Sequence, residues 1–137
     1  MTSPGSNGGE QSFESTFGSV RDARASLARF GLDEDLAHRA QLVVSELATN
    51  AVMHSGAPFL LRVTQDQRCL RIEVEDASGT LPLEMEAGAM SGRGLRIVEA
   101  LASHWGAERR GEGKVVWAEL TGPPPWAGPP PGSLQLP

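Results

Sequence analysis

The stretch DEDLAHRAQLVVSELATNAVMHSG, residues 33–56, decides the architecture. Leu36, Ala40, Val43, Leu47 and Ala51 recur in steps of four, three, four and four, which puts them on one apolar face of an α-helix. Asp33, Glu34 and Asp35 supply an acidic first turn, where the helix dipole favours negative charge, and Gly56 with Pro58 ends the run. At ~1.5 Å per residue, about 22 residues make a helix of roughly 33 Å, enough to cross a small domain. Beside the apolar stripe, Glu46, Asn50 and His54 fall at i, i+4 and i+8 and form a polar ridge. Such a ridge is either a solvated face or a place where an acid and an amide one turn apart hold a hard cation or activate a hydroxyl.

Outward from this helix the periodicities change in a definite order. Ser19 with Asp22 resembles a capping box that opens a helix to about Phe30, stopped by Gly31. After the long helix come two strand-like runs, residues 58–65 and 68–76, joined at Asp66-Gln67 as a hairpin. A loop over 77–93 leads to a helix from Gly94 to about His104. Strands 106–110 and 114–120 then meet at the Gly111-Glu112-Gly113 turn. Hairpins and helices in blocks predict an α+β fold, an antiparallel or mixed sheet with helices on one face.

The Gly- and Ser-rich residues 1–12 read as a disordered arm. Seven of the ten prolines fall after residue 120, so 121–137 read as a Pro-rich, extended and uncharged tail. Residues 13–120 remain as one domain of common size.

Composition removes several function classes. The chain has 137 residues, 12 Lys+Arg against 17 Asp+Glu, a net charge of −5 and one cysteine. That acidity argues against direct nucleic-acid binding, which rests on cations against phosphate. Apolar runs are far shorter than the ~20 residues of a membrane span, and the first residues carry no secretory pattern, so a cytoplasmic location is expected. Cys69, in an alternating apolar stretch, reads as a small buried thiol. His38, His54 and His104 lack zinc-ligand spacing; His38 reads as a surface helix residue and His104 as lying near a helix C-terminus. No P-loop, dinucleotide fingerprint, eukaryotic-type kinase motif set or nucleophile with its base is present.

Two further places invite chemistry. Leu70, Ile72 and Val74 alternate with Arg71, Glu73 and Glu75, so Asp76 continues the inward face. Burying a carboxylate unpaired costs several kcal/mol, so Asp76 either closes an Asx-type turn with nearby backbone and Ser78 or meets a ligand's donors. Ser91-Gly92-Arg93-Gly94 precedes the apolar positions Leu95, Val98 and Leu101 of the next helix. It reads either as ordinary loop or as a helix start whose N–H groups approach an anion. As a set, a cation-holding ridge, an inward acid and an anion-binding helix start describe a nucleoside triphosphate with its metal.

These residues resemble a known family. ELATNAVMHS (46–55) is similar to the N-box of the GHKL (histidine kinase-like) ATPase superfamily, EDASG (75–79) stands where its adenine-binding acidic motif belongs, and SGRGLRIVEALASHWG (91–106) resembles its second glycine box. The short length, the absence of a dimerisation helix pair and the ending GKVVWAEL resemble its anti-sigma-factor serine kinase branch, particularly the small actinobacterial-type regulators. The resemblance implies a two-layer α/β sandwich of the Bergerat type, with a mixed, mostly antiparallel sheet and helices on one face. It further implies ATP and Mg²⁺ as cofactors. Asn50 would hold the Mg²⁺, Glu46 would act as general base, and Asp76 would accept from the adenine amine. Gly79 would begin the ATP lid, and Gly92, Arg93, Gly94 and Leu95 would border the nucleotide; His54 would pack or orient the lid.

The implied function is a protein-serine kinase that phosphorylates a serine of an anti-sigma-factor antagonist of the STAS type and sequesters a sigma factor. The alternative is a non-catalytic ATP-binding interaction module in which nucleotide orders the partner surface. Neither nucleic acid nor membrane is expected as a direct partner, and family members commonly dimerise through the sheet or first helix, so a homodimer is compatible with the resemblance. Ser78 and Thr80 stand where the family motif has glycines. On the last hairpin Lys114 and Val115 follow Gly113, where a threonine often lies beside the adenine.

Overall fold

A computed structural model describes residues 7–66, 69–78 and 90–122, with backbone alone for Asn7 and for residues 90–94. Its elements in chain order are β1 (Asn7–Phe13), α1 (Phe17–Ala25) running into a 3₁₀ turn (Ser26–Phe30), α2 (Glu34–Ser55), β2 (Phe59–Gln65), β3 (Cys69–Asp76), α3 (Met90–Leu101), β4 (His104–Arg110) and β5 (Gly113–Thr121). The sheet order is β1-β2-β3-β5-β4. All four pairings are antiparallel, so the mixed character expected of the sheet is not found among the described strands. The result is the expected α+β sandwich.

The long helix forms where its periodicity places it. Asp33 caps it by accepting the Leu36 N–H at 2.8 Å, and Gly56 at φ 70° closes it in a left-handed conformation that glycine adopts freely. Ala40, Val43, Val44, Leu47, Ala48 and Ala51 are buried in the core. α2 touches α1 on one side and α3 on the other, so it is the central element of the helical layer.

The inner sheet face continues the alternation read from sequence. Across β3 and β5 the inward pairs are Leu70 with Leu120, Ile72 with Ala118, Val74 with Val116 and Asp76 with Lys114. Three pairs are apolar and join the core; the fourth is ionic. The outer face is tied by charges. Arg62 meets Glu10 at 3.4 Å, Glu73 at 3.3 Å and Glu75 at 2.7 Å. Arg71 meets Glu73 and Glu119 at 2.8 Å each and lies 4.3 Å over the Trp117 ring. Each half-exposed pair adds little stability, but opposite charges facing across strands favour one register.

Several sequence expectations need correction. Residues 7–12 are not part of a disordered arm: Asn7–Phe13 pairs with β2 along its whole length. The glycines that suggested disorder serve packing, because a Cβ on Gly9 would strike the Arg29 guanidinium, which donates to the Gly8 carbonyl at 3.3 Å. The first helix is capped by Thr16 rather than Ser19; the Thr16 Oγ1 accepts the Ser19 N–H at 3.1 Å. α3 spans Met90–Leu101, four residues earlier at its start than expected, and His104 lies on β4, exposed. At the other end Thr121 completes β5 instead of opening a tail. Arg39, buried on α2, donates to the carbonyls of Thr121 and Gly122 and to Asp35, anchoring the point where the chain leaves the sheet. Residues 1–6 and 123–137, the remainder of the expected arm and tail, lie outside the described residues.

Phe13 is buried and stacks on Phe59 with ring centroids 5.5 Å apart. Phe13→Ala is expected to lower stability by about 3 kcal/mol in urea denaturation, as for other buried aromatics. A loss within ~0.5 kcal/mol, the scale of a surface substitution, would show that β1 does not belong to the cooperative fold.

Candidate functional site

The site lies where α2 ends over the last pair of the β3–β5 ladder. Asp76 is the last residue of β3, its side chain 2% exposed, in the inward position that the alternation assigns it. Its Oδ1 accepts the Ser78 N–H at 2.7 Å, so the Asx-type turn is formed. That turn is half of the answer. The other half is Lys114, equally buried, whose Nζ lies 3.3 Å from Oδ1 and 3.2 Å from Oδ2. Desolvation holds the Asp76 carboxyl above its ordinary value, outweighing the opposing pull of Lys114 and the Ser78 N–H.

Sequence reasoning missed Lys114 as the partner. The signal was available in parity: Lys114, Val116, Ala118 and Leu120 are the inward residues of β5, and a lysine at such a position must meet an acid. A local constraint sharpens the register. A Cβ on Gly113 would strike the Asp76 carbonyl oxygen, so only glycine lets β5 approach β3 this closely at its start.

The polar ridge of α2 leads toward this pair. Glu46 is half-buried, Asn50 is buried, and His54 stands at the helix's last turn, successive residues rising ~6 Å along the axis. The His54 Nε2 is buried with no hydrogen-bond partner among the described residues. Burial, then the charge of Lys114, lowers the His54 pKa below 6.5, while Asp76 acts against the shift. His54 is therefore neutral at pH 7 and belongs to the same electrostatic pocket as Asp76 and Lys114.

Of the other expected site residues, Leu95 is half-buried on α3. Gly92, Arg93 and Gly94 lie inside the first turns of α3 rather than before it, as do residues 90 and 91 of the lid expected over 79–91; the side chains of 92–94, and Gly79 with the rest of that lid, fall outside what is described. In an α-helix the first four N–H groups have no internal acceptor, so a start at Met90 leaves the N–H groups of residues 90–93 to other acceptors. His38 is exposed as expected, and burial raises the thiol pKa of half-buried Cys69, which keeps it protonated.

The donor set fits a hard cation carried by phosphates: Glu46 and Asn50 offer oxygen ligands one turn apart. Asp76 fits an amine donor by chemistry, but Lys114 already stands at its carboxylate. No group of three His, Cys, Asp or Glu able to hold a metal by itself occurs among the described residues. No helix there is long and apolar enough to cross a membrane.

The lowered His54 pKa has a pH signature. Between pH 6.5 and the lowered value the unfolded chain binds the proton that the folded chain refuses, so stability falls as pH drops through this window. Asp76, with its carboxyl raised above 3.8, acts with the opposite sign: its contribution is present below 3.8 and lost as pH rises through the raised value. His54→Gln keeps the Asp76 contribution and removes the first. Urea midpoints followed from pH 7.5 to 5.5, about the histidine range, should therefore decline more steeply for wild type than for His54→Gln. Equal slopes would mean that His54 is not held neutral by the fold.

Comparison with known proteins bears on the family and the fold. Residues 13–120 match the family described as "Histidine kinase-like ATPase domain". An uncharacterized Streptomyces coelicolor protein, SCO4941, is 35% identical over 89 residues, covering 60% of this chain and 85% of that protein. The solved catalytic domain of the histidine kinase ThkA superposes with a TM-score of 0.50 at 18% identity, covering 82% of this chain and 95% of that one, a likeness of fold. With the family match spanning most of its length, this chain belongs to the histidine kinase-like ATPase domain family.

Proposed function

We propose that the chain is an ATP-binding regulator that transfers the γ-phosphoryl group to a serine of a STAS-type anti-sigma-factor antagonist and sequesters a sigma factor. The observation that carries the ATP-binding reading is the inward carboxylate of Asp76 at the head of a ridge formed by Glu46 and Asn50. These are the residues that the motif resemblance assigns to adenine, general base and metal. The family match supports nucleotide chemistry; the kinase activity and the protein partners rest on the motif resemblance.

In this reading Asn50 would hold Mg²⁺, which would supply charge neutralisation on the phosphates. Glu46 takes the proton of the substrate serine as the Oγ–P bond forms and the bond to the ADP oxygen breaks. Such transfer depends on positioning and charge neutralisation more than on covalent participation of the protein. The Asp76–Lys114 pair favours a second reading, a non-catalytic module whose nucleotide merely orders a partner surface, because an occupied carboxylate weakens the hold on the base.

Calorimetric titration with Mg-ATP should give binding to wild type that falls at least about tenfold, ~1.4 kcal/mol, in Asn50→Ala. Unchanged affinity in that variant would refute the phosphate and metal end of the site. With labelled ATP and a cognate antagonist, Glu46→Ala should reduce label transfer by about 10²-fold or more, the usual contribution of a general base. Transfer that survives the substitution would remove Glu46 from that role, and absence of transfer by wild type would leave the non-catalytic reading.

A further inference from the structure

Lys114 is a buried ionisable group that the functional reading leaves without a task. It stands on the inward face of β5 in register with Asp76, below three apolar pairs, and both side chains are 2% exposed. A lysine ammonium offers three N–H donors and no acceptor, so toward Asp76 it makes the contact that an exocyclic amine of a nucleobase would make. The capacity of the carboxylate is largely taken: Oδ1 accepts from Ser78 and lies 3.3 Å from Nζ, and Oδ2 lies 3.2 Å from the same nitrogen.

We propose that Lys114 is an internal occupant of the base pocket that sets nucleotide affinity and base selectivity by holding the carboxylate an incoming base amine would need. The proposal rests on the reading of Asp76 as the base acceptor. Its physical basis is an unequal exchange. A base amine is neutral, whereas the ammonium it displaces is charged and buried, and withdrawing one partner of a buried ion pair leaves the other charge uncompensated. The gain from an amine on Asp76 is thus offset by the loss of the Lys114 contact. The wild-type chain therefore binds nucleotide through phosphates and metal and is nearly indifferent to the base amine, while a chain without the ammonium at position 114 becomes amine-selective.

The experiment titrates the full chain with Mg-ATP and with the Mg complex of purine riboside triphosphate, which has the same ring and phosphates but no exocyclic amine. Wild type should bind the two within about threefold of each other, a difference well under 1.4 kcal/mol. Lys114→Met, which keeps much of the apolar stem, and Lys114→Thr should each bind ATP at least about tenfold more tightly than wild type and prefer it to the analogue by a similar factor. Adding Asp76→Asn to either variant should abolish that preference.

A wild type that already prefers ATP about tenfold over the analogue overturns the proposal without any variant. So does ATP binding that is unchanged or weaker in both Lys114 variants, with cooperative thermal melts showing them folded; loss of ATP binding in Asp76→Asn alone would then leave the base-pocket reading standing. Failure of wild type and both folded Lys114 variants to bind either nucleotide overturns the base-pocket reading and this proposal together.

Discussion

The antiparallel pairing of β3 with β5 is the constraint on which the rest depends. It joins the three strands β1-β2-β3 to the β4-β5 hairpin, and so makes one five-stranded sheet from segments far apart in sequence. α2 packs on the surface that this pairing creates, touching both β3 and β5. The same register decides the chemistry of the sheet's end. Shifting it by one residue would turn every inward side chain of β5 outward, burying Trp117 and Glu119 and placing Lys114 in water. Gly113, whose Cβ would meet the Asp76 carbonyl, and the facing charges Arg71 and Glu119 both favour the register observed.

One surface thus serves two purposes. Leu70, Ile72 and Val74 with Leu120, Ala118 and Val116 supply apolar burial, and one step further along the same ladder the pair becomes Asp76 with Lys114. A charged pair at that depth contributes less to stability than its Coulomb attraction suggests, because both ions lose their hydration. The raised Asp76 and lowered His54 pKa values show the same desolvation acting on an acid and a base of one pocket. The cavity of about 490 Å³ lined by Asp33, Leu36, Asp66, Cys69 and Thr121 lies at the opposite end of β3, ~20 Å away along the strand, and is separate from this chemistry.

Much of the fold was legible because it depends on local period. The step pattern from Leu36 to Ala51 gave α2 its full length, and the alternation from Leu70 to Asp76 gave β3 its inward face. Failures came where local composition answers to a distant partner. Gly8 and Gly9 look like a flexible arm until Arg29 is seen against them, and Ser19 looks like a cap until the Thr16 hydroxyl takes its N–H. Arg39 shows no sign in sequence that it will be buried, since its partners are carbonyls at the end of β5.

The sequence by itself determined that this chain is an α+β domain, that Glu46, Asn50 and His54 share a helix ridge, and that Asp76 points inward, because helix and strand periods are properties of neighbouring residues. Only the tertiary structure decided what Asp76 meets. Strand order and register are settled by the summed burial and charge pairing of the whole sheet, and that sum sets a lysine 38 positions away against the one inward carboxylate of β3.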